Sequence, residues 1–347
     1  MKKLFLVFII LLTTGCYDYV ELNNLSIISS IGIDYKDNEY MLTLEVLNDK
    51  SNNENPSLNA YDVSVNGKTI IEAFEKASIT LNKIPYYYHL KAIIIDEEIA
   101  YNHLLEITDY FVRNPKMIHG FYLVMCKNIS AKDFLNIKND NHLVIGNEIV
   151  SKMENNLYEY SISYNELFED VLERLINKKK DAMLTTFTIN NGNIKTYGIA
   201  LFKDSKLVKI LDEESSSYLN ILLSNPVNLA LENDDLVINI YNNKTNISFD
   251  NTININVSSE AQIIVNKKDN NLKKDESYLK FNDDFSKILL DELTKLLNEL
   301  SDLEVDPLGI KWQYYQIYKK DQPKLNTKII VDLKVNKKGL IFEANYE

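Results

Sequence analysis

Apolar positions recur along the chain either every second residue or every third to fourth, and the two periods alternate. SIISSIGIDY (26–35) and EYMLTLEVLN (39–48) read as a strand pair joined by Lys36, Asp37 and Asn38. In the second run Tyr40, Leu42, Leu44 and Val46 fall on one face. DKSNNENPSL (49–58) is polar and predicts a surface loop. KTIIEAFEKASITLN (68–82) puts Ile70, Phe74, Ala77 and Leu81 on one helical stripe. HLKAIIID (89–96) predicts a buried strand, and a helix from about Glu98 to Arg113 should stop before Pro115. IHGFYLVMC (118–126) is a further strand.

Tyr164, Leu167, Phe168, Val171, Leu172 and Leu175 predict a helix over 164–177, with Ser163 and Glu166 as its capping box. The run NKKKDA (177–182) breaks the pattern and sets the main domain boundary. Its lysines suit the negative end of a helix. Strands follow at 184–189, 195–202, 206–211, 236–241, 251–257 and 261–266, interrupted by a helix over 213–223. A long helix over 283–300 turns Phe285, Leu289, Leu293, Leu296 and Leu300 inward. Asp306 and Pro307 predict an N-cap and first turn for a helix reaching Tyr318, and 327–335 with 339–344 reads as a closing hairpin. The fold class expected is α+β, with largely antiparallel or mixed sheets flanked by helices.

The N-terminus sets the compartment. Lys2 and Lys3 precede the apolar LFLVFIILL (4–12), and TTGC (13–16) follows at once. Nine apolar residues cannot cross a hydrocarbon core that needs about 20. The pattern is that of a signal peptide (1–15) cleaved between Gly15 and Cys16, with the Cys16 thiol taking a diacylglyceryl group. Thr13 stands where such boxes usually carry Leu. The expectation is a lipoprotein, anchored by Cys16 to the outer face of a membrane.

Composition narrows the function. Hydrophobic residues make up 45% and charged residues 25% of the 347, as in ordinary folded proteins. The net charge is −12, and removal of Lys2 and Lys3 with the leader would take it to −14. Such a chain repels phosphate-rich polymers, so nucleic acid is not an expected partner. Cys126 ends an apolar run and is read as a small buried hydrophobe. His89, His103, His119 and His142 are scattered singly, without metal-ligand spacing. No phosphate-binding or nucleophile motif is present. The acid pairs Glu97–Glu98, Glu213–Glu214 and Asp283–Asp284 are read as first-turn helix residues rather than catalytic groups. No catalytic residue, metal site or cofactor is expected.

Several segments, in order, resemble the Ger(x)C family, the lipoprotein C subunits of spore germinant receptors. Cys16, Tyr17, Asp18, Glu21, Leu22, Gly32, Ile33 and Asp34 look like the family's mature opening, with Tyr17 where Trp is usual. HLKAIIIDEEIAYNHLLEITDYFVRNPKM (89–117), YGIALFKDSKLV (197–208), DPLGI (306–310) and KVNKKGLI (334–341) are similar to later family segments, although Trp312 and the tyrosines after it differ from the usual pattern. The resemblance implies three mixed α/β domains, here 16–180, a β-rich 181–260 and 261–347. It implies a place on the outer surface of the spore inner membrane, with A and B type membrane subunits as partners in nutrient-triggered germination. In the family, recognition of the small-molecule germinant is attributed mainly to the B subunit, which leaves open whether this chain binds one. The competing reading is a solute-binding lipoprotein of an import system, which parallel sheets in two lobes would favour.

Overall fold

A computed structural model describes residues 20–48, 59–137, 144–159, 161–268, 275–323 and 325–336. Its architecture is two mixed sheets flanked by helices. The larger sheet contains β1 (Leu25–Lys36), β2 (Glu39–Asn48), β3 (Asn59–Gly67), β4 (Ile84–Tyr86), β5 (Ala92–Ile95), β6 (Tyr122–Cys126), β7 (Met183–Asn190), β8 (Asn193–Lys203) and β9 (Lys206–Ile210). Its order is β3-β2-β1-β5-β6-β7-β8-β9, with β4 beside the start of β1. The centre β1-β5-β6-β7 is parallel and both flanks are antiparallel.

The hairpins follow from local chemistry. Asp37–Asn38, Asn191–Gly192 and Asp204–Ser205 each place two residues at positive φ between paired strand ends. This is the two-residue turn whose twist matches the flanking strands. The parallel centre explains the unbroken run Ala92–Ile95, buried on both faces. Ile93 and Ile95 face one core with α1 (Ile70–Thr80), α2 (Leu104–Arg113, entered through a π-helical turn at Ile99–His103) and α5 (Phe168–Ile176). Ala92 and Ile94 face the other with α3 (Ala131–Leu135) and α4 (Ile145–Glu159).

The smaller sheet has the order β10-β11-β12-β13, from Leu229–Glu232, Leu236–Phe249, Thr252–Asn266 and Asn326–Asn336. Phe281, Phe285, Leu289, Leu293, Leu296 and Leu300 of α7 (Asp275–Asp302) cover it. α6 (Glu213–Leu222) packs between the sheets, because Leu219 and Leu222 share one core with Ile199 and Leu201 of β8 and Ile238 of β11. A last helix, α8 (Ile310–Tyr318), precedes β13.

Several expectations are corrected. The runs expected at 251–257 and 261–266 form one strand, β12, so a division at 260 would cut it. A division at 180 falls between β6 and β7, which are neighbours in one sheet. β13 pairs in parallel with β12, and the second strand of the hairpin expected over 327–335 and 339–344 lies outside the described residues, as does the loop expected at 49–58. Asp283 and Asp284 lie inside α7, not at its start. The 164–177 helix begins only at Phe168, with no side-chain cap at Leu167. Ser163 Oγ instead donates to the Met153 carbonyl, and Glu166 is taken by Arg174.

Candidate functional site

Gly15 and Cys16 lie outside the described residues, which begin at Val20. From there the segments that carried the resemblance resolve into joints between distant elements. Asp34 is nearly fully buried at the end of β1, where its carboxylate accepts from Ala131 N at 2.6 Å and Lys132 N at 2.9 Å. Both are first-turn amides of α3, which have no partner inside the helix. Burial raises the Asp34 carboxyl above its ordinary value, and the two amide bonds oppose that shift. Gly32 is needed for the same contact, since a Cβ there would lie 3.0 Å from Leu135 Cδ1 and 3.1 Å from the Ala131 carbonyl oxygen.

The arrangement recurs. Glu45 of β2 accepts from Ile145 N at 2.6 Å and Gly146 N at 3.2 Å at the start of α4. Asp62 lies opposite Glu45 on β3, and burial followed by repulsion from Glu45 pushes its carboxyl up to about 7. Asp96 accepts from Ile99 N at 2.8 Å, and burial pushes it up to about 7 as well.

YGIALF (197–202) forms the second kind of joint. A Cβ on Gly198 would meet the Leu211 carbonyl oxygen at 2.1 Å, so only glycine lets β8 pass this close to the start of α6. The next amide, Ile199 N, donates to the buried Ser216 Oγ at 2.9 Å.

DPLGI (306–310) is the third. Asp306 accepts from Ile310 N at 2.9 Å and Lys311 N at 2.8 Å, the first amides of α8, but the helix starts at Ile310 with Gly309 at its N-cap, not at Pro307 with Asp306 there. Gly309 turns the chain at φ 65°. Asp306 N donates to Asp181 Oδ2 at 2.6 Å, and Arg174 Nη1 donates to the Pro307 carbonyl at 3.1 Å. The same guanidinium grips Glu166 through Nε at 2.9 Å and Nη2 at 3.1 Å. Lys179 lies 4.6 Å over the Tyr315 ring, and Tyr315 stacks with Trp312 at 6.0 Å. The lysine run, read from the sequence as suiting the negative end of a helix, is part of this contact, with Lys179 paired to Asp321 and Lys180 to Glu173.

Cys126 is fully buried, its Sγ donating to the carbonyls of Ile95 at 3.4 Å and Ile129 at 3.2 Å, and burial pushes its thiol up, away from a reactive thiolate. The histidines are not brought together. His103 stacks on Tyr35 at 3.8 Å, His119 Nε2 lies 3.1 Å from the Phe111 carbonyl oxygen, His89 is exposed near Tyr86, and His142 is outside the described residues. Among the described residues no group of three His, Cys, Asp or Glu is placed to hold a metal ion, and no helix is long and apolar enough to cross a membrane.

One surface feature had no sequence signal. A groove of about 860 Å³ lies between α1 and α2, lined by Ile71, Phe74, Ile79, Pro85, Tyr110 and Pro115 among others. Its apolar rows belong to two helices separated in the chain by β4 and β5.

A family model described as the spore germination protein N-terminal domain matches residues 18–189. A second, the spore germination B3/GerAC-like C-terminal domain, matches 197–339. The putative spore germination protein YfkR of Bacillus subtilis is 22% identical over 87% of this chain and 84% of its own length. Spore germination protein KC of the same organism is 24% identical over 65% of this chain and 62% of its own. Spore germination protein B3 is 31% identical over 37% of this chain and 35% of its own. The crystal structure of the GerBC protein shares the fold, with a TM-score of 0.51, 17% identity, and coverage of 88% of this chain and 96% of that one. With one spore germination domain matched up to β7 and another from β8 onward, and with Gly32–Asp34, Gly198 and Asp306–Gly309 at its joints, the chain belongs to the Ger(x)C family of spore germination proteins.

Proposed function

We propose that this chain is the non-enzymatic lipoprotein subunit of a spore nutrient germinant receptor, assembling with A and B type membrane subunits to trigger germination. The observation that carries the reading is the match of both halves to spore germination domains, downstream of the apolar run 4–12 and TTGC (13–16). Cys16 would carry the lipid, and the acidic body would sit on the outer surface of the spore inner membrane. The residues singled out in the family segments go into joints between elements, as suits an assembly and signalling partner. The import-system alternative draws little support from the fold, because the extended parallel core lies in one sheet only.

The test is a Cys16→Ala variant in the sporulating organism. It should leave the protein in the soluble fraction after cell breakage and slow or abolish the spore response to at least one nutrient, with growth unchanged. A variant that stays on membranes through a high-salt wash would remove the anchor. Normal germination of a full deletion strain with every nutrient tested would remove the receptor role.

A further inference from the structure

We propose that the end of the large sheet where β1, β5 and β6 begin docks into the headgroup layer of a bilayer. The inference rests on the reading of Cys16 as a lipid anchor in that bilayer.

The parallel centre gives the sheet two unlike ends. At the starting end, β4 runs beside β1 with Leu25 opposite Ile84. Leu22 sits in the short turn before β1 and Ile118 in the loop before β6. Leu22, Ile84, Tyr88 and Ile118 are 65%, 52%, 54% and 52% exposed, too much apolar surface to serve the core. Tyr86 and Tyr88 stack at 4.9 Å beside Ile84. Tyrosine is apolar in its ring and polar at its hydroxyl, which suits the boundary between acyl chains and water.

Charge does not separate the two ends. Residues 77–95 carry Lys83 and Lys91 with no carboxylate and 114–121 carry Lys116 with none, but Glu169 and Asp170 lie at the same end, in the first turn of α5 against Phe121. Lys76 reaches toward the opposite end, donating to the Asn66 carbonyl at 2.9 Å. Glu21 is the acid at the start of the described chain. Residues 49–58, between the ends of β2 and β3, are outside the described residues and contain Asp49, Lys50 and Glu54. At the opposite end, where β1, β5 and β6 finish, Asp37, Glu97, Glu98 and Asp133 stand beside Lys36, Lys127 and Lys132, while Asp34 and Asp96 are largely buried. The exposed apolar side chains, not the charge, single out the starting end.

The tether fits this orientation. Four chain steps lead from Cys16 to Val20 and span no more than about 14 Å when extended. The headgroup layer is roughly 5–8 Å thick on each side of the hydrocarbon. A lipid on Cys16 therefore holds the apolar end at the bilayer, and the stems of Lys83, Lys91 and Lys116 can lie along the surface with their charges in the headgroups.

The experiment uses full-length lipidated protein in vesicles of phosphatidylcholine and phosphatidylglycerol. Mass spectrometry reads the lipid on Cys16, and a fluorophore on Tyr88→Cys reads depth through quenching by doxyl-labelled lipid. Lys36→Cys, about 36 Å away along β1, is the control, and Leu22→Cys is a second reporter at the docking end. The buried Cys126 takes no label. Quenching at 88 and 22 at least three-fold stronger than at 36 is expected. Equal quenching at all three positions in lipidated, vesicle-bound protein overturns the docking and leaves the anchor standing. A label at 88 shielded from aqueous iodide in native membranes, yet untouched by doxyl lipid in vesicles, means a protein covers this end, and the lipid proposal falls. An unmodified thiol at Cys16 overturns the anchor reading and the docking that rests on it.

Discussion

Asp34 gives the sharpest test of the idea that buried carboxylates hold this fold together. Replacing it with Ala removes the acceptors of Ala131 N and Lys132 N, bonded at 2.6 and 2.9 Å. A hydrogen bond to a charged group contributes about 1.5–3 kcal/mol, so the pair contributes about 3–6 kcal/mol. The cost of burying the carboxylate, visible in its raised pKa, offsets part of this and leaves a loss of about 3 kcal/mol. Asp34→Asn keeps one acceptor and turns an amide NH₂ toward the other N–H, so about half that loss is expected. Because α3 has only five residues, the loss should be local. Amide exchange resolved by mass spectrometry is the assay. About 3 kcal/mol corresponds to roughly a hundred-fold faster exchange of the 131–135 segment, with β11 and β12 unchanged. Exchange within three-fold of wild type in Asp34→Ala, or equal effects of Ala and Asn, would refute the reasoning.

Gly198→Ala should cost more than about 3 kcal/mol or prevent folding, because its Cβ would lie 2.1 Å from a backbone oxygen, while Gly120→Ala, with open space around it, should stay within about 0.5 kcal/mol. Thermal unfolding of the two variants side by side checks this, and a tolerated Gly198→Ala would refute the close approach. Asp62 should make stability depend on pH. Its folded pKa of about 7 exceeds the ordinary carboxylate value, so folding takes up a proton and stability rises as pH falls from about 7 toward about 4. Asp62→Asn should therefore stabilise the protein at pH 8 by about 1–2 kcal/mol, a figure reduced for its partial exposure, and should flatten the slope. Part of the slope should remain because Asp96 is shifted in the same direction. Identical melting temperatures for wild type and variant at pH 8 and pH 5.5 would overturn the pairing with Glu45.

The legible parts of the fold were those with long local periods. The alternation Tyr40, Leu42, Leu44, Val46 gave β2, the acceptable αL residues Asp37 and Asn38 gave its turn, and the leucine stripe gave α7. α3 and α4 were missed because what holds their first turns lies far away. Asp34 is 97 residues from Ala131, and Glu45 is 100 residues from Ile145. β3 was missed because Asp62, Ser64 and Asn66 on one face of this edge strand leave a weak apolar signal. The capping box at Ser163 and Glu166 failed for the converse reason. Its local pattern is sound, but Arg174 and Tyr164 claim Glu166, and Ser163 is used by Met153.

The family segments thus divide into two kinds of information. Gly32, Asp34, Gly198, Asp306 and Gly309 are fixed by close approach, by a left-handed turn or by amides that need an acceptor, and none of these roles involves a ligand. A chain can keep them and still differ from its relatives on every exposed face, which fits 22% identity over most of the length with the fold retained. What distinguishes one member's partners from another's should then sit on surfaces free of these constraints. In this chain two such surfaces adjoin through Pro85, which lines the α1–α2 groove and lies within β4 at the apolar end of the sheet. If lipid occupies that end, the groove is held beside the bilayer. A membrane-embedded subunit could reach it there without leaving the membrane.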